Sequence, residues 1–151
     1  MAIGSVLTNT FKEELLGGYH SFNASGDTPA GSAFKIALYS ATTANIGTTT
    51  TQWVVASTPS ADPTNTLEVT TTGSGYTSGG NALTNTGVAK STVTSYTDFS
   101  DTSWTSASFT ARGCLIYNSS TISGLTTNAS VCTIDFGGDK TVSSGTFTIQ
   151  F

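Results

Sequence analysis

The chain has 151 residues, a net charge of −4 and only 9% charged residues, while 31 Thr and 21 Ser place a small hydroxyl at about a third of all positions. Its five basic residues are never adjacent, which excludes a phosphate-tracking surface and so a nucleic-acid partner, and no apolar run approaches the ~18 residues of a membrane span. The composition lacks the Ala, Glu, Lys and Leu of a helical bundle, and the single His, His20, makes histidine catalysis or a zinc site a poor fit.

The opening residues Met1 to Leu7 have no basic n-region, and Gly4 and Ser5 break their apolar run. They do not read as a secretory signal, and Ala2 excludes myristoylation, so the chain is expected to be made in a host cytoplasm with no export address. Leu7, Phe11 and Leu15 recur at i, i+4 and i+8, with Ile3 one step earlier, and predict one short amphipathic helix. Thr10-Phe11-Lys12-Glu13 fits a capping box at its start, with an earlier start at Ser5 as the alternative, and Gly17-Gly18 ends it. Its apolar stripe must be buried, either on the chain's own sheet or on a neighbouring subunit, which makes Leu7, Phe11 and Leu15 candidate interface residues.

Residues 23–33 read as a turn-rich connector, and everything after it as strands and loops. Phe34 to Tyr39 alternates cleanly, with Phe34, Ile36 and Leu38 on one face. Thr48 to Thr51 reads as an exposed loop, Trp53-Val54-Val55 as a short apolar run, and Pro59 and Pro63 as loop brackets. Leu67-Glu68-Val69 leads into a glycine-rich turn, Gly73 to Gly80. Weak strands are marked by Ala82-Leu83, Val88 and Val93, and the strongest by Phe109 to Tyr117 and Val131 to Phe136. Gly137-Gly138 reads as a reversal between two strands, and Phe147 to Phe151 as a final strand. The expectation is a mainly β, single-domain antiparallel β-sandwich of jelly-roll-like type, with a helical segment at 1–22, a connector at 23–33 and the sandwich at 34–151.

Few residues carry chemistry. Cys114 and Cys132 fit no metal or redox spacing; they are two small buried side chains or, in an oxidising setting, a candidate disulfide. Gly73-Ser74-Gly75 is a turn rather than a nucleophile elbow. Asp135 with Asp139, and Asp98 with Asp101, do not reach the ligand count of a calcium loop. No catalytic, cofactor or metal site is therefore expected. Arg112 is the only Arg, flanked by apolar strand residues. It is either paired with an Asp or an interface anchor.

The strings EVTTTGSGYTSGGNAL (68–83), DFSDTSWTSASFTARGCLIYN (98–118) and DFGGDKTVSSGTFTIQF (135–151), with SVLTNTFKEELLGGYHSF and FKIALYSATTANI before them, resemble a small structural protein recurrent among tailed bacteriophages near capsid and tail genes. The resemblance implies a virion component without enzymatic activity. The family it resembles typically has Ala where Cys114 stands and an aliphatic residue near Cys132, in keeping with packing roles, and the departure of this sequence leaves open a disulfide particular to it. Two functions follow as expectations. One is capsid decoration (cement): a homo-oligomer, trimer favoured, on the major capsid protein or other virion proteins. The other is a neck, tail or baseplate fibre domain that binds a host receptor through its Thr-rich loops, with Trp53, Tyr76 and Trp104 as aromatic platforms for sugar rings if Trp53 and Trp104 are not ordinary core.

Overall fold

The computed structural model describes residues 3–24, 26–40, 46–54 and 67–151. Val55, Pro59 and Pro63 lie outside the described residues. The chain is mainly β with one short helix: β1 (Val6–Leu7), α1 (Asn9–Leu16), β2 (Phe34–Tyr39), β3 (Asn81–Leu83), β4 (Asn85–Ser91), β5 (Thr94–Phe99), β6 (Thr102–Asn118) and β7 (Ala129–Ile149). Five strands form an antiparallel sheet in the order β1-β7-β6-β2-β3, and β4 and β5 form a separate two-stranded ribbon. The arrangement is sandwich-like, with a narrow second layer.

Alternation decides the core. Phe34, Ile36 and Leu38 of β2 and Cys114 and Ile116 of β6 point to one face, where they meet Phe11, Tyr76, Phe99, Trp104 and Phe109. Ala37, Tyr39, Leu115 and Tyr117 point to the other, where Ile3, Ile46 and Trp53 cover them. Both faces of the central strands are thus buried, which is why their sequences read as nearly continuous apolar runs. Trp53, Tyr76 and Trp104 are all core residues; Trp53 stacks on Tyr117 at 5.4 Å. None of the three is an exposed platform for a sugar ring.

Three local expectations are corrected. The helix cap is Thr8 rather than Thr10: its hydroxyl accepts from the Phe11 N–H at 3.2 Å and donates to the Ser130 carbonyl at 2.9 Å. A long-range bond to β7 therefore selects the cap, and Leu7 falls in β1 instead of on the helix. Gly137-Gly138 does not reverse the chain. It sits inside β7, where residues 136–139 bulge opposite the single residue Arg112, and Gly137 adopts φ 72° to make the kink. Within the Thr48 to Thr51 tract, Thr50 is buried, and its carbonyl accepts from the Ser130 hydroxyl at 2.6 Å.

The glycine-rich segment is pinned by one carboxylate. Glu68 accepts from the Tyr76 hydroxyl at 2.7 Å, the Gly79 N–H at 2.6 Å and the Ser78 hydroxyl at 3.2 Å. Tyr76 in turn accepts from the Leu38 N–H at 3.0 Å. Burial first, and the Glu68 charge second, push the Tyr76 phenol up, so it stays a donor at any ordinary pH. Gly80 packs so closely that a Cβ would lie 1.8 Å from the Ile36 carbonyl oxygen.

Candidate functional site

The N-terminal segment is joined to the sheet. β1 pairs with β7, and α1 packs on β7. Phe11 is spent in the chain's own core, with ring contacts to His20 at 4.9 Å and Phe22 at 6.0 Å. Leu7 and Leu15 remain about half exposed. All three line one open groove of about 560 Å³. Its floor is Ile116, Val131 and Cys132, and its far wall is the β4–β5 ribbon through Val88 and Tyr96, with Phe99 at the base. The groove is almost wholly apolar because its lining from α1, the sheet and the ribbon is mostly aliphatic and aromatic side chains. A volume of this size falls in the range of roughly 300–1,000 Å³ typical of binding clefts.

A second opening of about 500 Å³ lies on the same face, lined by Cys114, Ile134, Phe136, Phe147, Ile149 and Phe151 among others. Phe151 touches Phe99 at 5.4 Å between ring centroids, so the two openings share a wall. The row Ile134, Phe136, Val142, Phe147 and Ile149 along β7 is only partly buried.

Arg112 does not line the groove. It makes a forked contact to Asp135, with Nε–Oδ1 at 3.0 Å and Nη2–Oδ2 at 3.4 Å, and Asp139 lies 3.9 Å away. The Gly137 backbone N–H first, and Arg112 second, hold the Asp135 carboxyl below its ordinary value. The two aspartates weighed as a cation pair are thus both turned to one guanidinium that closes the β7 bulge. Arg112 is an intramolecular staple, which leaves its role as an interface anchor without support.

Cys114 and Cys132 are free thiols. Cys114 pairs with Ile134, and Cys132 with Ile116, so the cysteines are diagonal neighbours on one face. Diagonal positions lie about 7–8 Å apart, beyond the roughly 4.4–6.8 Å Cα separation of a disulfide, so a bond would need a strand to slip. The two thiols are not bonded to each other in this structure. Burial pushes both thiols up, Cys132 to about 11, which suppresses the reactive thiolate.

One cluster escaped sequence reasoning. His20 is buried between Glu14 and Asn118: its Nε2 lies 3.1 Å from Glu14 Oε2, and its Nδ1 lies 3.1 Å from the Asn118 amide nitrogen. Asn118 Oδ1 accepts from the Ser120 N–H at 2.9 Å, which turns its NH2 group toward the ring. The ring is then the neutral tautomer, accepting at Nδ1 and donating from Nε2. Desolvation lowers the His20 pKa against the opposing pull of Glu14. The other Glu14 oxygen accepts from the Thr126 N–H at 2.9 Å, so α1, the chain after it and the β6–β7 loop are tied at one point. Both ring nitrogens are engaged, and neither faces a hydroxyl or thiol it could activate. Residues 14, 20 and 118 are too far apart in sequence for any spacing rule to have joined them.

Among the described residues, no group of three or more His, Cys, Asp or Glu is placed to hold a metal, and no helix is long and apolar enough to cross a membrane. Comparison with known proteins finds no matching family model, curated protein or solved structure.

Proposed function

We propose that this chain is a structural component of a tailed-bacteriophage virion, a capsid decoration protein that sits on the head lattice as a homo-oligomer against the major capsid protein. The sequence resemblance motivates the reading, and one structural observation supports it: the apolar groove beside α1 stays open in the single chain, with Leu7 and Leu15 half exposed at its edge. A cement protein stabilises a lattice by burying such area at subunit boundaries, at roughly 25 cal/mol per Å² before the cost of association. The near absence of surface charge suits dense packing, where like charges would repel. No catalytic step is proposed. The receptor-binding reading drew on Trp53, Tyr76 and Trp104, and the burial of all three removes its stacking surface.

The test is reconstitution. Purified protein is added to heads assembled without it, and binding and the temperature of DNA release are followed. Saturable binding that raises the release temperature is the expected result. Failure of well-folded protein to bind the heads would overturn the reading.

A further inference from the structure

Two backbone amides near the ends of the β6–β7 loop, residues 119–128, finish on the buried polar cluster. At one end the Ser120 N–H donates to Asn118 Oδ1 at 2.9 Å. At the other the Thr126 N–H donates to Glu14 Oε1 at 2.9 Å. The His20 ring lies between those two side chains, with Nδ1 at 3.1 Å from the Asn118 amide nitrogen and Nε2 at 3.1 Å from Glu14 Oε2. One ring therefore joins both clamps of the loop.

The surroundings of the ring are fixed. Its side chain is wholly buried. Phe11 of α1 meets it edge-on at 4.9 Å and Phe34 of β2 stacks on it at 6.4 Å, and neither carries a charge. Asn118 of β6 is neutral, and Ser120 and Thr126 of the loop reach the cluster only through N–H groups. Glu14 of α1 is the charged group that acts on the ring. Its Oε2 accepts from Nε2–H whether the ring is neutral or protonated. Asn118 cannot serve both states: its NH2 donates to a bare Nδ1, whereas imidazolium is a donor at both nitrogens. A protonated ring thus sets N–H against N–H, and a buried donor left unpaired is unfavourable. Turning the Asn118 amide over restores the bond, because Oδ1 then accepts from Nδ1–H. The same turn points the NH2 group at the Ser120 N–H and breaks that bond.

We infer that His20 is an acid-sensitive switch: a proton at Nδ1 turns the Asn118 amide over and frees the Ser120 backbone at the start of the β6–β7 loop, while Thr126 stays held by Glu14. Ser119 and the Ser120 hydroxyl remain tied to Ala33, so the loop loosens at one point rather than detaching. Burial opposes the proton, which keeps the switch closed at neutral pH and opens it on acidification. The device belongs to the single chain and does not depend on a place in a virion.

The experiment is a nitrogen-15 NMR titration of the full chain from about pH 8 to about pH 5, following the His20 ring nitrogens, the Asn118 side-chain NH2 and the Ser120 and Thr126 amides. At neutral pH Nδ1 is expected bare and Nε2 protonated. On acidification the Ser120 and Asn118 signals move with the ring's own midpoint, Thr126 moves less, and core amides such as Ile116 stay in place. His20→Gln removes the Ser120 response. In Asn118→Asp, two carboxylate oxygens accept from the ring and from Ser120 together, so the ring midpoint rises by about 1 pH unit or more and Ser120 no longer responds. Should either variant fail to fold, the titration of the unaltered chain decides alone. A neutral ring that carries its proton on Nδ1 overturns the inference. So does a ring that titrates while Ser120 stays unmoved, or a change in which Ser120, Thr126 and the core amides move together, since that is global unfolding.

Discussion

Replacing Phe11 with Ala tests whether α1 belongs to the chain's own core. An eight-residue helix has no independent stability in water, so something must hold it, and Phe11 is its one large buried apolar side chain. Truncating a buried Phe costs about 3–5 kcal/mol. Phe11 also lines an open groove, so water and neighbouring side chains relieve part of the void, which sets the expectation at the lower end, about 3 kcal/mol. For a chain of this size each kcal/mol moves the melting temperature by about 2–4 °C, giving a drop of about 6–12 °C. The control is Leu16→Ala, since Leu16 is 92% exposed and its loss should stay within about 0.5 kcal/mol. Thermal and urea unfolding followed by circular dichroism read both. A Phe11→Ala melt indistinguishable from the control would refute the placement of α1 in the core.

Acidification should destabilise the fold through His20. Its folded pKa lies below the ordinary 6.5, so the unfolded chain binds the extra proton more readily. Stability is fully present above about pH 6.5 and falls as the pH drops below it; a His20→Gln variant whose urea midpoint follows the same slope between pH 7 and 5 would contradict this. Asp135 acts in a separate window, below its ordinary 3.8. Gly80→Ala and Gly137→Ala form a matched pair, because both glycines have positive φ but only Gly80 has no room for a Cβ. Gly137→Ala should cost the backbone term alone, about 1–2 kcal/mol, and Gly80→Ala clearly more; equal costs in urea unfolding would show that the Ile36 contact is not tight. Cys114, which is fully buried, should react with iodoacetamide at pH 8 only as fast as the protein unfolds, and its prompt labelling in the folded chain would contradict that burial.

The central strands were legible because short apolar runs are a local signal: Phe34 to Tyr39, Phe109 to Tyr117 and Val131 to Phe136 all fall within observed strands. Strand lengths were not. β6 begins at Thr102, and the stretch up to Ser108 is held partly by cross-strand hydroxyl pairs such as Ser103 with Thr148 at 2.9 Å, which leave no apolar pattern to read. Val93, expected in a strand, lies between β4 and β5, because pairing of Ser91 with Thr94 forces a tight reversal there. The cap at Thr8, the β7 bulge at Arg112 and the Glu14–His20–Asn118 cluster each depend on partners between 6 and 123 residues away. Of the candidate site, the apolar stripe was visible and converges on one groove. The ribbon wall opposite it was not, since Val88 and Tyr96 mark weak strands that carry no sign of being uncovered.

The central claim is a place on the head lattice, and cryo-electron microscopy of the intact virion, with the copy number per particle, tests it most directly. The account predicts hundreds of copies on the capsid surface, with the α1 groove and the β4–β5 ribbon inside a subunit boundary. A few copies confined to the neck or tail, or particles lacking the protein altogether, would contradict it.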